Sequence, residues 1–109
     1  MPDSKRILFT AALCKDKRGA AVSHQRETLM AEHLAYVEKI VDQILVAGPM
    51  FDQDNKTIIG SILIYKTAEK EEAQQLLEND PYYSAGIWET IEFETFRGAL
   101  GSAVGGISY

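Results

Sequence analysis

The chain is poor in the residues that build most readily identified sites. A single cysteine, Cys14, stands in 109 residues, so no disulfide can form within the chain and no set of cysteines can hold a metal. The two histidines, His24 and His33, are nine positions apart. That places them off the shared helical face on which zinc ligands sit at i and i+4. No run of lysine or arginine occurs, and no aromatic platform is interleaved with basic residues. The net charge is −5 and the pI about 4.9, which argues against nucleic acid or an anionic membrane as a partner. No apolar stretch approaches the roughly 20 residues that span a bilayer. There is no Gly-rich phosphate loop and no secretory signal pattern at the N-terminus. With one cysteine and no signal, the expected compartment is the reducing cytoplasm. These absences leave a small-molecule ligand as the expected partner, handled without metal or nucleotide cofactor.

What remains is an ordinary globular composition, 46% apolar and 25% charged, at a length that fits one domain. A chain this short buries a limited fraction of its surface, and partner chains often complete the core. Arg6 to Cys14 is a continuous apolar run, which reads as a strand covered on both faces. Cys14 itself reads as a small apolar residue closing that strand rather than a nucleophile. Lys15 to Gly19 is a charged loop. From Ser23, a reasonable N-cap, a helical period runs to Val41. Ile44 to Ala47 is a short strand ended by Gly48-Pro49, and Asp52 to Lys56 is strong turn chemistry. Thr57 to Lys66 is a strand with Ser61, Leu63 and Tyr65 on one face. Glu69 to Asn79 is a second helix, ended at Asp80 because Pro81 disfavours the α conformation before it. Ile87 to Phe96 is the last strand, with Ile91 and Phe93 on one face and Glu92 and Glu94 on the other. The division is a domain over 1–97 and a Gly-rich tail over 98–109, read as mobile or as an arm that orders on a partner.

The order βαββαβ predicts a ferredoxin-like α+β fold, an antiparallel sheet with two helices on one face. The strands are apolar on both faces, and a bare sheet face of that size is rarely left uncovered. The expected remedy is a homodimer, sheet against sheet, or a higher homo-oligomer.

On a helical wheel, Leu29, Met30, Val37, Ile40 and Val41 form one arc that should be dry, with Leu34 at its edge. His33 falls inside that arc, and Arg26 lies two turns earlier on the same side. Asp80 extends the inward face of the second helix, which carries Ala73, Leu76 and Leu77. These polar residues stand where apolar ones are expected. A histidine can exchange a proton near neutral pH, and an aspartate behind it can fix the tautomer and stabilise the charged ring.

Three segments carry a resemblance to a known family. They are RETLMAEHLAYVEKI from Arg26, ILVAGPMFDQDNKTIIGSILIY from Ile44, and EEAQQLLENDPYYSAGIWETIEFETF from Glu71. A histidine in an H-L-x-Y helix, then A-G-P, then G-S, then D-P-Y at this spacing resembles the YciI-like (YCII-related) proteins of the dimeric α+β barrel superfamily. The likeness covers roughly residues 5 to 97. It implies a ferredoxin-like fold paired as a dimer and a catalytic His–Asp pair at His33 and Asp80. It also implies relatives that act on small cyclic or aromatic metabolites, with dehydrochlorinating and isomerising activities among them.

The candidate site is therefore His33 and Asp80 as catalytic dyad, with Arg26, Ser61, Gly48, Pro49 and Tyr82 as substrate-binding residues. Arg26 could grip a carboxylate or phenolate with its fork of donors, and Ser61 could donate to a bound oxygen. The first functional expectation is a cofactor-independent enzyme that moves a proton in an isomerisation or elimination. The second is a binding or accessory module whose His–Asp pair only ties two helices together. A third is a haem-binding relative with His33 as axial ligand, which an Asp80 partner disfavours. Accessibility separates the first two: a catalytic His33 needs an open cavity and a free ring edge.

Overall fold

The structure, a computed structural model, describes residues 8–107, so the expected start of the first strand at Arg6 and the end of the tail lie outside it. Strand β1 (Leu8–Asp16) leads into helix α1 (Ala20–Lys39), then β2 (Ile44–Phe51), β3 (Ile58–Tyr65), helix α2 (Lys70–Glu78), a single-turn helix α3 (Pro81–Ser84) and β4 (Trp88–Arg97). The four strands form one antiparallel sheet in the order β2-β3-β1-β4. That is the ferredoxin-like arrangement, with β3 seated between the two strands that α1 connects. Among the described residues, no helix is long and apolar enough to cross a membrane.

Alternation fixes the two sheet faces. Thr10, Ala12 and Cys14 on β1 align with Tyr65, Leu63 and Ser61 on β3. Together with Ala73 and Leu77 of α2, Ile87 and Trp88, most of these close the core beneath the helices. The opposite face presents Ala11 and Leu13 beside Ile64 and Ile62, all half-buried in the single chain. Gly60 has no room for a side chain: an added Cβ would run into the Cys14 carbonyl oxygen and the Met50 side chain. Glycine at this point lets β1 and β3 come together.

Three expectations need correction. Helix α1 begins at Ala20, with Gly19 at φ 116° before it and no side-chain cap. Ser23 is thus one turn inside the helix, because glycine's left-handed freedom turns the chain straight off β1. Strand β2 runs through Gly48-Pro49 to Phe51. It is an edge strand, where the N–H that proline lacks need not reach a neighbour. The arc expected to be dry is partly wet: Met30 and Leu34 of α1 are each 45% exposed, and Val41, which falls beyond the helix in a short 3-10 turn, is 59% exposed. Helix α1 stands away from β2, and a cavity occupies the gap. The tail, beyond β4, folds into a two-stranded hairpin, β5 (Leu100–Gly101) with β6 (Gly106–Ile107).

Candidate active site

The cavity lies between α1 and the β2–β3 edge of the sheet and has a volume of about 290 Å³. Its apolar walls include Met30, Leu34, Val37, Ala47, Ile58 and Leu63. Its polar groups are few. Arg26, His33, Ser61 and Tyr82 line it together with Gly48 and Pro49, and Asp80 stands behind His33. A small apolar cleft with a few convergent polar groups is the usual form of a ligand site.

Asp80 reaches its position because the chain breaks there. Helix α2 ends at Glu78 with Asn79 as its C-cap, and Pro81 occupies the first turn of α3, where its missing N–H is no loss. Asp80 becomes the N-cap of α3, its Oδ1 accepting from the Tyr82 N–H at 2.9 Å. The same carboxylate meets His33 Nδ1 at 2.8 and 2.9 Å, and the Asp80 side chain is 1% exposed. An ionised carboxylate only accepts, so the neutral ring carries its proton on Nδ1 and leaves Nε2 as a lone pair. The Tyr82 ring lies flat against the imidazole, centroids 3.9 Å apart and planes within 5°. The carboxylate at Nδ1 and the stacked Tyr82 ring therefore hold the imidazole from two sides, and the cap fixes the carboxylate. What it keeps open is the edge toward the cavity.

Arg26, two turns earlier on α1, is held differently. Its Nε donates to Asp16 Oδ2 at 2.7 Å, and its Nη2 donates to Asp16 Oδ1 at 2.8 Å and to Ser61 Oγ at 3.0 Å. The guanidinium carbon sits 5.1 Å from the centroid of the Tyr82 ring, within cation–π range. Tyr82 in turn donates its hydroxyl to the Arg26 carbonyl at 3.0 Å, and burial pushes that hydroxyl's pKa up. The fork expected to grip a substrate carboxylate is thus taken by Asp16. Only Nη1 makes no hydrogen bond among the described residues.

Cys14 lies beneath both pairs. Burial pushes its thiol up to about 12, with the Asp80 and Asp16 carboxylates adding to the rise and Arg26 opposing it. An inert thiol fits the structural reading of this residue. No group of three or more His, Cys, Asp or Glu among the described residues could hold a metal ion.

The structure brings Arg26, His33, Gly48, Pro49, Ser61 and Tyr82 around one cavity and seats Asp80 against His33. Sequence reasoning missed Asp16, which it left in the charged loop after the first strand. It also missed Leu63 and Ile58 as cavity walls; alternation with Gly60 and Ile62 assigns Leu63 to the helix side, whereas Ile58 sits where the β2–β3 register shifts.

A family model for the YCII-related domain matches residues 8–97. Among solved structures, the chain is similar to the 5-chloro-2-hydroxyhydroquinone dehydrochlorinase of Burkholderia phenoliruptrix AC1100, solved in complex with 2,5-dihydroxybenzoquinone. The two are 30% identical with a TM-score of 0.70, over 86% of this chain and 96% of that one. It is also similar to the Xenovulene A biosynthesis cluster protein asL2 of Sarocladium schorii, 27% identical over 88 residues, or 72% of this chain and 76% of that protein. A conserved protein from Methanosarcina mazei Go1 shares the fold alone, at 11% identity and a TM-score of 0.52 over 89% of this chain and 98% of that one. The solved structures have the ferredoxin-like unit of the dimeric α+β barrel fold.

Proposed function

This chain belongs to the YCII-related family, and on that premise we propose that it is a small cofactor-independent enzyme acting on a cyclic or aromatic metabolite. The observation that carries the reading is the His33 ring, held at Nδ1 by Asp80 and open at Nε2 toward the cavity. In this reading His33 Nε2 takes a proton from the bound ring, and Asp80 stabilises the imidazolium that forms. In an elimination, a leaving group such as chloride departs with its bonding electrons. In an isomerisation, the proton returns at another carbon. The likeness to a dehydrochlorinase supports the elimination, and the apolar walls suit a flat ring.

The working unit of this reading is a homodimer or larger homo-oligomer. A second copy covers the sheet face that carries Ala11, Leu13, Ile62 and Ile64, an apolar surface that a lone chain leaves in water. The protein acts in the cytoplasm, where Cys14 stays reduced.

The test is a screen of chlorinated hydroquinones for chloride release, with 2,5-dihydroxybenzoquinone as a competing ligand. The reading expects turnover that His33→Ala abolishes. Tight ligand binding without turnover, equal in the wild type and His33→Ala, would move the protein to the ligand-binding alternative.

A further inference from the structure

We propose that Asp16, Arg26 and Ser61 form an oxyanion-binding device facing His33, in which Ser61 and Arg26 touch a substrate oxygen and Asp16 is the positioning residue behind them. The inference deepens the proton-transfer reading and rests on it for the base.

A guanidinium has five N–H donors and no acceptor. Three are committed: Nε and Nη2 to Asp16, and Nη2 again to Ser61 Oγ. Because Arg26 can only donate, Ser61 Oγ must accept, and its own O–H is released to donate elsewhere. Ser61 and Arg26 both line the cavity, and neither the Ser61 O–H nor the two N–H groups of Nη1 find an acceptor among the described residues. Three donors are thus available on the same cavity as the His33 lone pair. Arg26 and His33 both lie against the one Tyr82 ring, and Ser61 lines the same cavity.

The charge state decides what such donors suit. Asp16, with a side chain 5% exposed, cancels the guanidinium charge. A preformed carboxylate would therefore find little net attraction. Fixed donors on buried side chains whose charge is already compensated instead favour an oxygen that becomes negative during the reaction. The ligand class is a carbonyl or phenol oxygen conjugated to the carbon that loses its proton. The C–H bond breaks, the proton goes to His33 Nε2, and the electron pair moves onto that oxygen. There Ser61 O–H and Arg26 Nη1 hold it.

The test uses a series of substituted phenols of graded acidity, which carry a full or partial charge on oxygen, with benzoate as the preformed-carboxylate control. Affinities are measured by calorimetry on the wild type, Ser61→Ala, Ser61→Thr, Asp16→Asn and His33→Ala. Wild type should bind phenolates more tightly as their basicity rises. Ser61→Ala should bind about tenfold more weakly, the loss of one hydrogen bond to a charged oxygen, with a flatter dependence on basicity. Ser61→Thr should restore both. Asp16→Asn, which leaves Arg26 unneutralised, should flatten the phenol dependence yet raise benzoate affinity, a split that mere loosening of the fold would not produce. If Asp16→Asn does not fold, the two Ser61 variants decide. No phenol binding to wild type, or an unchanged dependence in Ser61→Ala, would overturn the proposal. His33→Ala separates the two readings: it should leave the phenol dependence intact, so turnover and oxyanion binding can fail independently.

Discussion

Arg26 and His33 lie seven residues apart on one face of α1, and each pairs with a carboxylate from another element. Arg26 meets Asp16 through a two-point fork and spends a third donor on Ser61. His33 meets Asp80 through Nδ1 alone and keeps its other nitrogen for the cavity. The first side chain offers only donors; the second keeps a ring nitrogen without a partner among the described residues. One pair is built to hold a geometry, the other to hold a ring while leaving its chemistry free. Tyr82 lies against both.

The most severe way to break that contrast is to remove Asp16. Asp16→Ala leaves a guanidinium buried without its counter-charge, and losing one partner of a buried pair costs about 3–5 kcal/mol. Chemical denaturation should show a loss of that size. A loss under about 1 kcal/mol would place the pair among ordinary surface salt bridges. His33→Ala should do the reverse. The rate of the proton-transfer reaction should fall by about 10²–10⁴-fold, the contribution of a positioned acid or base, with a smaller change in stability than Asp16→Ala causes.

Asp80 can be split into its two duties. Asparagine caps a helix as well as aspartate does, so Asp80→Asn should keep α3 while depriving the imidazolium of its counter-charge. Activity should fall and the melting temperature should stay close to wild type. Asp80→Ala should lose the cap as well, at about 1 kcal/mol. Equal stability of the two variants would contradict the capping role.

Cys14 gives the mildest probe, because its thiol feels both carboxylates. Its folded pKa is about 12 against an unfolded value of 9.0. The folded state therefore holds the proton more tightly, and this contribution to stability is complete below pH 9.0 and lost as pH rises toward 12. Denaturation midpoints should fall across that window, and less steeply in Cys14→Ala. At pH 8 the folded protein should react with thiol reagents far more slowly than the unfolded chain does.

The His33–Asp80 pair was legible because each residue interrupts an apolar helical face, and because Asp80-Pro81 marks a helix end. The sheet was legible for a similar reason: alternation and turn chemistry assign each strand, and βαββαβ then admits few topologies. Asp16 was hidden because it stands in Lys15-Asp16-Lys17-Arg18, where neighbouring charges look alike. Only the folded chain distinguishes it. Ladder pairing shifts register between Lys15 and Asp16, and Gly19 turns the chain so tightly that α1 brings Arg26 back over the strand end. The wetness of Met30 and Leu34 was hidden too. A helical wheel reports which side chains share a face but not how far that face stands from the sheet.

The most direct test of the account is a long-range ¹H–¹⁵N spectrum of the neutral His33 ring, assigned against a His33→Ala control so that His24 does not interfere. The account predicts a proton on Nδ1 and a bare Nε2, whose resonance moves when a phenol enters the cavity. A proton on Nε2, or an Nε2 resonance indifferent to any ligand that binds there, would contradict it.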